Sequence, residues 1–317
     1  MSFKRFETDD ITISADAITA PLWSTSAVTL STFYTSSAQY TANNQYFVDV
    51  YNTGSNLADA FVQFSIAYGD KAGSGSLLYN PSVDGKSPSS TTYGQYRTLV
   101  LGDEDSDFAL NGTTLENFFV VSIDRARYKE RLLPGTFEIV TTSGSFIDNS
   151  TSLTTVTYGD AGRVYKIVSG SIANGVHNTT ERGYFLPDIA TILFDGKITG
   201  TTAITSPAAR ASNTNSENAR KLYNGITTVK LNSEETVSSQ YAFVRVRNSE
   251  FNYSTNPSNI TGSGDLRHNI MVNAPQTYIT TIGMYNDNND LLAVAKLSQP
   301  LLKDFTKEAL VRIKLDF

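Results

Sequence analysis

The chain offers few residues of the kinds that make and break bonds. His177 and His268 are its only histidines, each beside an asparagine, Asn178 and Asn269. A catalytic base needs partners in defined roles, and a histidine zinc site needs two or three such ligands. An exposed loop position is the reading these two support. There is no cysteine, which removes disulfides and thiolate ligands together. Carboxylates gather in two runs, Asp103-Glu104-Asp105-Ser106-Asp107 and Asp287-Asn288-Asn289-Asp290. Calcium takes about six to eight oxygens, but neither run matches the loop with a central glycine and a terminal glutamate, and solvated turns account for both. Asp16, Asp124, Glu130 and Asp188 are scattered carboxylates of the type that glycosidases pair in space; scattered carboxylates are usually surface residues. No GxxxxGK[ST] loop, helix-opening GxGxxG or GxSxG elbow occurs. The glycosylation-type triplets at Asn111 and Asn178 carry little meaning without a secretion signal. The expectation is no catalytic residue, no cofactor and no metal site.

Contact chemistry is better represented. Arginine and aromatic residues are enriched at the centres of protein interfaces, and Arg245, Arg247, Phe251 and Tyr253 bring both kinds together within a few positions. They are the candidate interface residues, against the alternative that Arg245 and Arg247 occupy the wet face of a strand.

The elements that must position such groups are mostly strands. Tyr278–Tyr285 is rich in β-branched and aromatic residues, the run 286–290 favours a turn, and Leu291–Leu297 returns, so the pair reads as a hairpin. Val311, Ile313, Leu315 and Phe317 alternate with Arg312, Lys314 and Asp316, the period of a half-buried strand. Upstream, Tyr46–Tyr51, Ala60–Tyr68, Phe118–Ile123, Thr136–Thr142, Leu153–Thr157, Val164–Val168, Tyr184–Phe194, Thr227–Leu231 and Tyr241–Val246 read as strands. Phe3–Ile13 is an arm or first strand, and Ser24–Asn44 fits strand or loop. Gly69–Thr92 reads as a loop, Gly94–Leu101 as strand or helix, Arg125–Leu132 as a turn or two of helix, and Asn248–Asp265 as a polar loop. Ser216–Tyr223 is the clearest helix, with Ser216 as cap and Asn224-Gly225 as stop. The expected fold is mainly β, an antiparallel β-sandwich (jelly-roll-like) architecture with minor helix. Thr201–Asn215 is the best boundary, giving an N-terminal β-sandwich region over 1–200 and a C-terminal β region over 201–317. The last strands could equally pair with the first and join both regions in one domain.

Composition narrows the partners. Charged residues are 18% and the net charge is −6, without the basic stripe that marks a nucleic-acid binder. The densest basic cluster, Arg125, Arg127, Lys129 and Arg131, is interleaved with Asp124 and Glu130. No apolar run approaches the length of a membrane helix, and MSFKRFETDDITIS lacks the apolar core of a secretory signal. Few charges and many Ser, Thr, Asn and aromatic residues suit dense packing between proteins.

Several stretches are familiar as a set: FKRFETDDI from Phe3, YFVDVYN from Tyr46, FSIAYGDKAGSG from Phe64, QYRTLVL from Gln95, IDRARYKERLLPGTFEI from Ile123, YFLPDIATILF from Tyr184, FVRVRNSEFNYSTNP from Phe243 and the whole segment from Gln276. In order and spacing the chain resembles virion structural proteins of marine T-even-like contractile-tailed phages, of the kind that infect cyanobacteria. The resemblance covers most of the chain and is densest at its C-terminal end. It implies a non-enzymatic tail or baseplate subunit, assembled in the host cytoplasm into the virion. The partners implied are copies of itself and other virion proteins, with no nucleic acid, membrane or small-molecule substrate. The alternative expectation is a host-recognition or fibre-attachment module that binds carbohydrate or a fibre protein through loops such as Gly69–Thr92 and Asn248–Asp265.

Overall fold

A run such as Phe118-Phe119-Val120-Val121 can be buried throughout only where both faces of its sheet are covered. The computed structural model describes residues 4–37, 46–75, 87–197, 215–254 and 256–316. They divide into two compact units, Ala17–Glu235 and the combination of Met1–Asp16 with Thr236–Phe317. In chain order the strands and helices are β1 (Ile11–Pro21), β2 (Thr29–Leu30), β3 (Phe47–Tyr51), β4 (Val62–Asp70), α1 (Pro88–Leu101), β5 (Ala109–Leu110), β6 (Thr113–Thr114), β7 (Asn117–Ile123), β8 (Arg131–Leu132), β9 (Glu138–Thr141), β10 (Gly144–Asp148), β11 (Thr157–Gly159), β12 (Gly162–Ser171), β13 (Gly175–Leu186), β14 (Thr191–Asp195), α2 (Asn215–Gly225), β15 (Ile226–Lys230), β16 (Asn232–Val246), α3 (Ile270–Asn273), β17 (Gln276–Tyr285), β18 (Leu291–Asp304) and β19 (Ala309–Asp316). Strand accounts for 49% of the chain and helix for 15%, so the mainly β class expected from the sequence is what forms.

The larger unit is built on an 11-stranded sheet in the order β2-β15-β9-β10-β12-β13-β14-β7-β4-β3, with β11 beside β12. Its neighbours are antiparallel, as in β14 on β7 and β7 on β4. At one edge Leu30 pairs with Val229. A few residues later Tyr34 bridges Tyr51, just where β3 ends at the other edge. The Tyr51 N–H donates to the Tyr34 carbonyl at 2.8 Å and the reverse bond is 3.3 Å. One short segment thus touches both outer strands, and the sheet is curled until its edges nearly meet.

Period two then sorts the apolar run of β7. Phe119, Val121 and Ile123 enter the inner core with Trp23, Phe64, Phe137, Phe185 and Phe194. Phe118 and Val120 face a second core with Tyr93, Phe108, Tyr184 and Leu193, which α1 helps to cover. Phe137 stacks on Phe185 at 5.2 Å inside, and Tyr93 on Phe118 at 5.0 Å outside. Gly69 permits the close seat of α1: a Cβ there would lie 3.0 Å from the Phe118 ring and 3.1 Å from the Tyr93 backbone nitrogen.

Helix α1 corrects the sequence reading, which gave its first turn to a loop and left the rest as strand or helix. The signals were local. Ser87 caps the helix by accepting from the Ser90 N–H at 3.5 Å, Pro88 stands in the first turn, and Gly102 ends it at φ 67°, donating to the Thr98 carbonyl. The stretch 125–132 is shorter in helix than expected, a 3-10 turn at Arg125–Arg127 followed by β8. Helix α2 forms where Ser216–Tyr223 was expected. The expected boundary, 201–215, lies outside the described residues except for Asn215, as does the loop portion 76–86.

In another sheet β1, β16 and β19 are neighbours in that order. The β16–β19 register runs from Ser239↔Asp316 to Val246↔Ala309. Along β19 the alternation is as the sequence demanded: Ala309 and Ile313 are buried, while Leu310, Arg312 and Lys314 are exposed. Phe317 lies outside the described residues. Strands β17 and β18 form a sheet of their own.

Candidate interaction surface

The β17–β18 hairpin turns where the sequence placed it. The Asn286 side-chain oxygen accepts from the Asn288 and Asp290 N–H groups at 3.0 and 2.7 Å, and Asn289 takes φ 66°. The ladder has two segments, Gln276–Ile279 against Leu301–Asp304 and Thr281–Tyr285 against Leu291–Lys296, with Leu297–Pro300 looped out of register between them. Ile282 with Ala295 and Met284 with Ala293 are half-buried on one face. Val294, paired with Gly283, lies on the other, 58% exposed, and Leu292 beside it is 67% exposed. A two-stranded sheet is marginal in water, and apolar side chains gathered on its surface mark a place that another surface covers.

The base of the hairpin is fixed by a lysine. Lys303 is fully buried, and its Nζ donates to the Asn248 carbonyl at 2.9 Å, the Asn252 Oδ1 at 2.8 Å and the Asp304 carbonyl at 2.9 Å. The Thr277 hydroxyl donates to the Phe251 carbonyl at 2.6 Å. The loop 247–254, which holds three of the four sequence-derived interface residues, is therefore pinned at two points.

Those four residues sit as follows. Arg245 is on the wet face of β16 and pairs with Glu308 at 3.1 Å, both largely exposed, a pair of small energetic weight. Arg247 lies just past the strand; its N–H donates to Glu250, which also holds Lys4 at 3.3 Å. Phe251 is half-buried at φ 55°, uncommon for an aromatic residue. Tyr253 is 66% exposed.

In the larger unit Glu130, Arg131, Tyr158, Arg163 and Asp188 line an open depression of about 510 Å³. Two of the four scattered carboxylates therefore meet there. Asp124 instead caps the 3-10 turn, accepting from the Ala126 N–H at 2.9 Å, and Asp16 is exposed on β1. The depression is an ion-pair chain. Arg163 donates to Asp188 at 2.7 and 3.0 Å, Arg131 donates to Glu234 at 3.0 Å, and Arg131 reaches Glu130 at 3.0 Å. Partial burial pushes the Asp188 carboxyl up, but hydrogen bonds from the Arg163 side chain and backbone hold it below its ordinary value. That is the opposite of what a general acid requires.

A second cavity of about 400 Å³ is bounded by Leu110, Asn111, Thr113–Asn117, Glu181, Arg182, Asp195 and Lys197. Burial raises the Asp195 carboxyl there, and the Asn117 Oδ1 is buried without a hydrogen-bond partner among the described residues. The acidic run 103–107 is a turn in which Asp103 accepts from the Asp105 N–H and the Ser106 hydroxyl, while Asp107 pairs with Lys71. His177 is exposed on β13 rather than in a loop, and His268 is exposed in the loop before α3. Among the described residues no group of three or more His, Asp or Glu is placed to hold a metal ion, and no helix is long and apolar enough to cross a membrane. Lys303 and Glu234 escaped the sequence reading because their roles depend on partners far away in the chain. No family model, curated protein or solved structure matches the chain.

Proposed function

We propose that the chain is a non-enzymatic structural subunit of a phage virion, in the tail or baseplate, acting by packing against copies of itself and other virion proteins. The observation that carries this is the β17–β18 hairpin, a two-stranded arm with Val294 in solvent on one face, Ile282 and Met284 only half-buried on the other, and a base locked by Lys303. Such an arm gains its stability when a neighbour covers it. The resemblance to contractile-tail virion proteins points the same way, and so does the pairing of Asp188 with Arg163, which holds that carboxyl below its ordinary value in the open depression. Mass spectrometry of purified particles of the encoding phage is the test. The chain is expected at a stoichiometry of several copies per particle, and its absence from them overturns the assignment.

One observation favours a second reading, a module that recognises host glycan or a fibre protein. Tyr158, 71% exposed, stands at the rim of a depression whose arginines and carboxylates are already held in place, and an exposed aromatic ring beside fixed polar groups suits a sugar ring. Binding of the purified chain to a glycan array, lost in Tyr158→Ala, would move the assignment to that reading.

A further inference from the structure

The two outer edges of the β17–β18 hairpin are unlike. Strand β18 carries the devices that stop an edge from recruiting another strand. Its register is broken between Lys296 and Leu301, Pro300 in that break has no N–H to donate, and the exposed Lys296 brings charge. Strand β17 carries none of them. Over its 10 residues, Gln276–Tyr285, there is no charged side chain and no proline, the extra residues of both register shifts fall in β18, and the composition is β-branched and aromatic. Among the described residues β18 is its only strand neighbour, so every second residue turns its N–H and C=O outward.

We infer that β17 pairs edge to edge, antiparallel, with β17 of a second copy of this chain, joining two hairpins into one continuous sheet. This rests on the building-block role proposed above and names its first partner. A strand that must find a different protein is normally guided by complementary charge and by repulsion of wrong partners; β17 offers no charge for either. Facing itself, an uncharged strand sets no like charges opposite one another. An antiparallel pair about a two-fold axis is also closed, so it ends at two copies instead of growing into a fibre. The half-buried Ile282 and Met284 of each copy then extend one apolar face across the join.

Thr280 lies at the middle of β17, exposed, and outside the β17–β18 register. The full-length protein is expected to sediment at twice the monomer mass at tens of micromolar. Thr280→Lys and Thr280→Glu are each expected to halve that mass, and mixing the two variants to restore it, a rescue that a merely misfolded arm could not give. Because the chain has no cysteine, Thr280→Cys reports the join directly: oxidation links it into covalent dimers, whereas Val294→Cys on β18 stays monomeric. A monomeric wild type, or dimers that persist in both charge variants, overturns the inference. A chain found in purified particles yet monomeric in solution sinks this pairing and leaves the structural role standing; a dimer absent from particles does the reverse.

Discussion

Replacing Lys303 by methionine keeps the length of the side chain and removes its donors. Three acceptors then lose their partner: the Asn248 and Asp304 carbonyls and the Asn252 Oδ1. A hydrogen bond to a charged group contributes about 1.5–3 kcal/mol. Asn248 is exposed and Asn252 half-buried, so both can turn to water once released, and the net loss for the set is about that of one such bond, about 2 kcal/mol. The loss is local, because the strands on either side keep their ladders. About 2 kcal/mol is a factor of roughly 30 in the population of the released loop. Hydrogen exchange followed by mass spectrometry reads it: amide protection over 248–252 should fall about that much, with the β16–β19 ladder unchanged. Lys303→Ala should fall further, since it also leaves a cavity where the stem was. If protection over 248–252 is the same in Lys303→Met as in wild type, the lysine does not hold the loop and the rigid-base account of the hairpin is wrong.

The larger unit has its own reporter, because Trp23 is the only tryptophan and is buried, with its indole N–H donating to the Val28 carbonyl. Gly183→Ala would place a Cβ 1.9 Å from the Leu193 carbonyl oxygen across the β13–β14 ladder; a loss above about 3 kcal/mol is expected in urea unfolding followed by Trp23 emission. Ser87→Ala removes the cap of α1 and the hydroxyl bond to the Gly73 carbonyl, so the same assay should show a loss of about 1 kcal/mol. Asp188 is held below its ordinary value of 3.8, so its ion pair stabilises the fold at all pH above that value and is lost as pH falls through the depressed one. The stability gap between wild type and Asp188→Asn should stay constant from neutrality down to the ordinary value and close below it; a gap that closes near neutrality contradicts the pairing with Arg163.

What the sequence made legible is whatever depends on near neighbours. The alternation Val311, Ile313, Leu315 appears in β19 residue for residue, and the Asn/Asp run at 286–290 turns the hairpin through its own side chains. Helix α1 was read only in part, its first turn as loop and 94–101 as strand or helix, although Ser87-Pro88 and Gly102 announced its ends, because Gly94 and the Thr91-Thr92 pair weaken the apolar stripe that identifies a helix. What depends on distant partners was hidden. Nothing near Lys303 shows that Asn248 will be its acceptor, and nothing near Arg163 foretells Asp188. The run 28–34 fits strand or loop by its composition, and nothing within it shows that it spans both edges of a large sheet. For the interface residues the split is similar: Arg245 sits on the wet strand face that its alternation allowed, while the pinning of Phe251 by Thr277 could not be read from composition.

The pairing of Leu30 with Val229 sets a timetable for synthesis. The strand that completes the curled sheet leaves the ribosome roughly two hundred residues before its docking site is made. At about 5–20 residues per second that is an interval of about 10–40 s. Throughout it the nascent chain holds finished hairpins with raw margins and nothing to seal them. A chaperone that shields those margins during translation, or the rate of translation itself, would therefore govern the yield of folded chain.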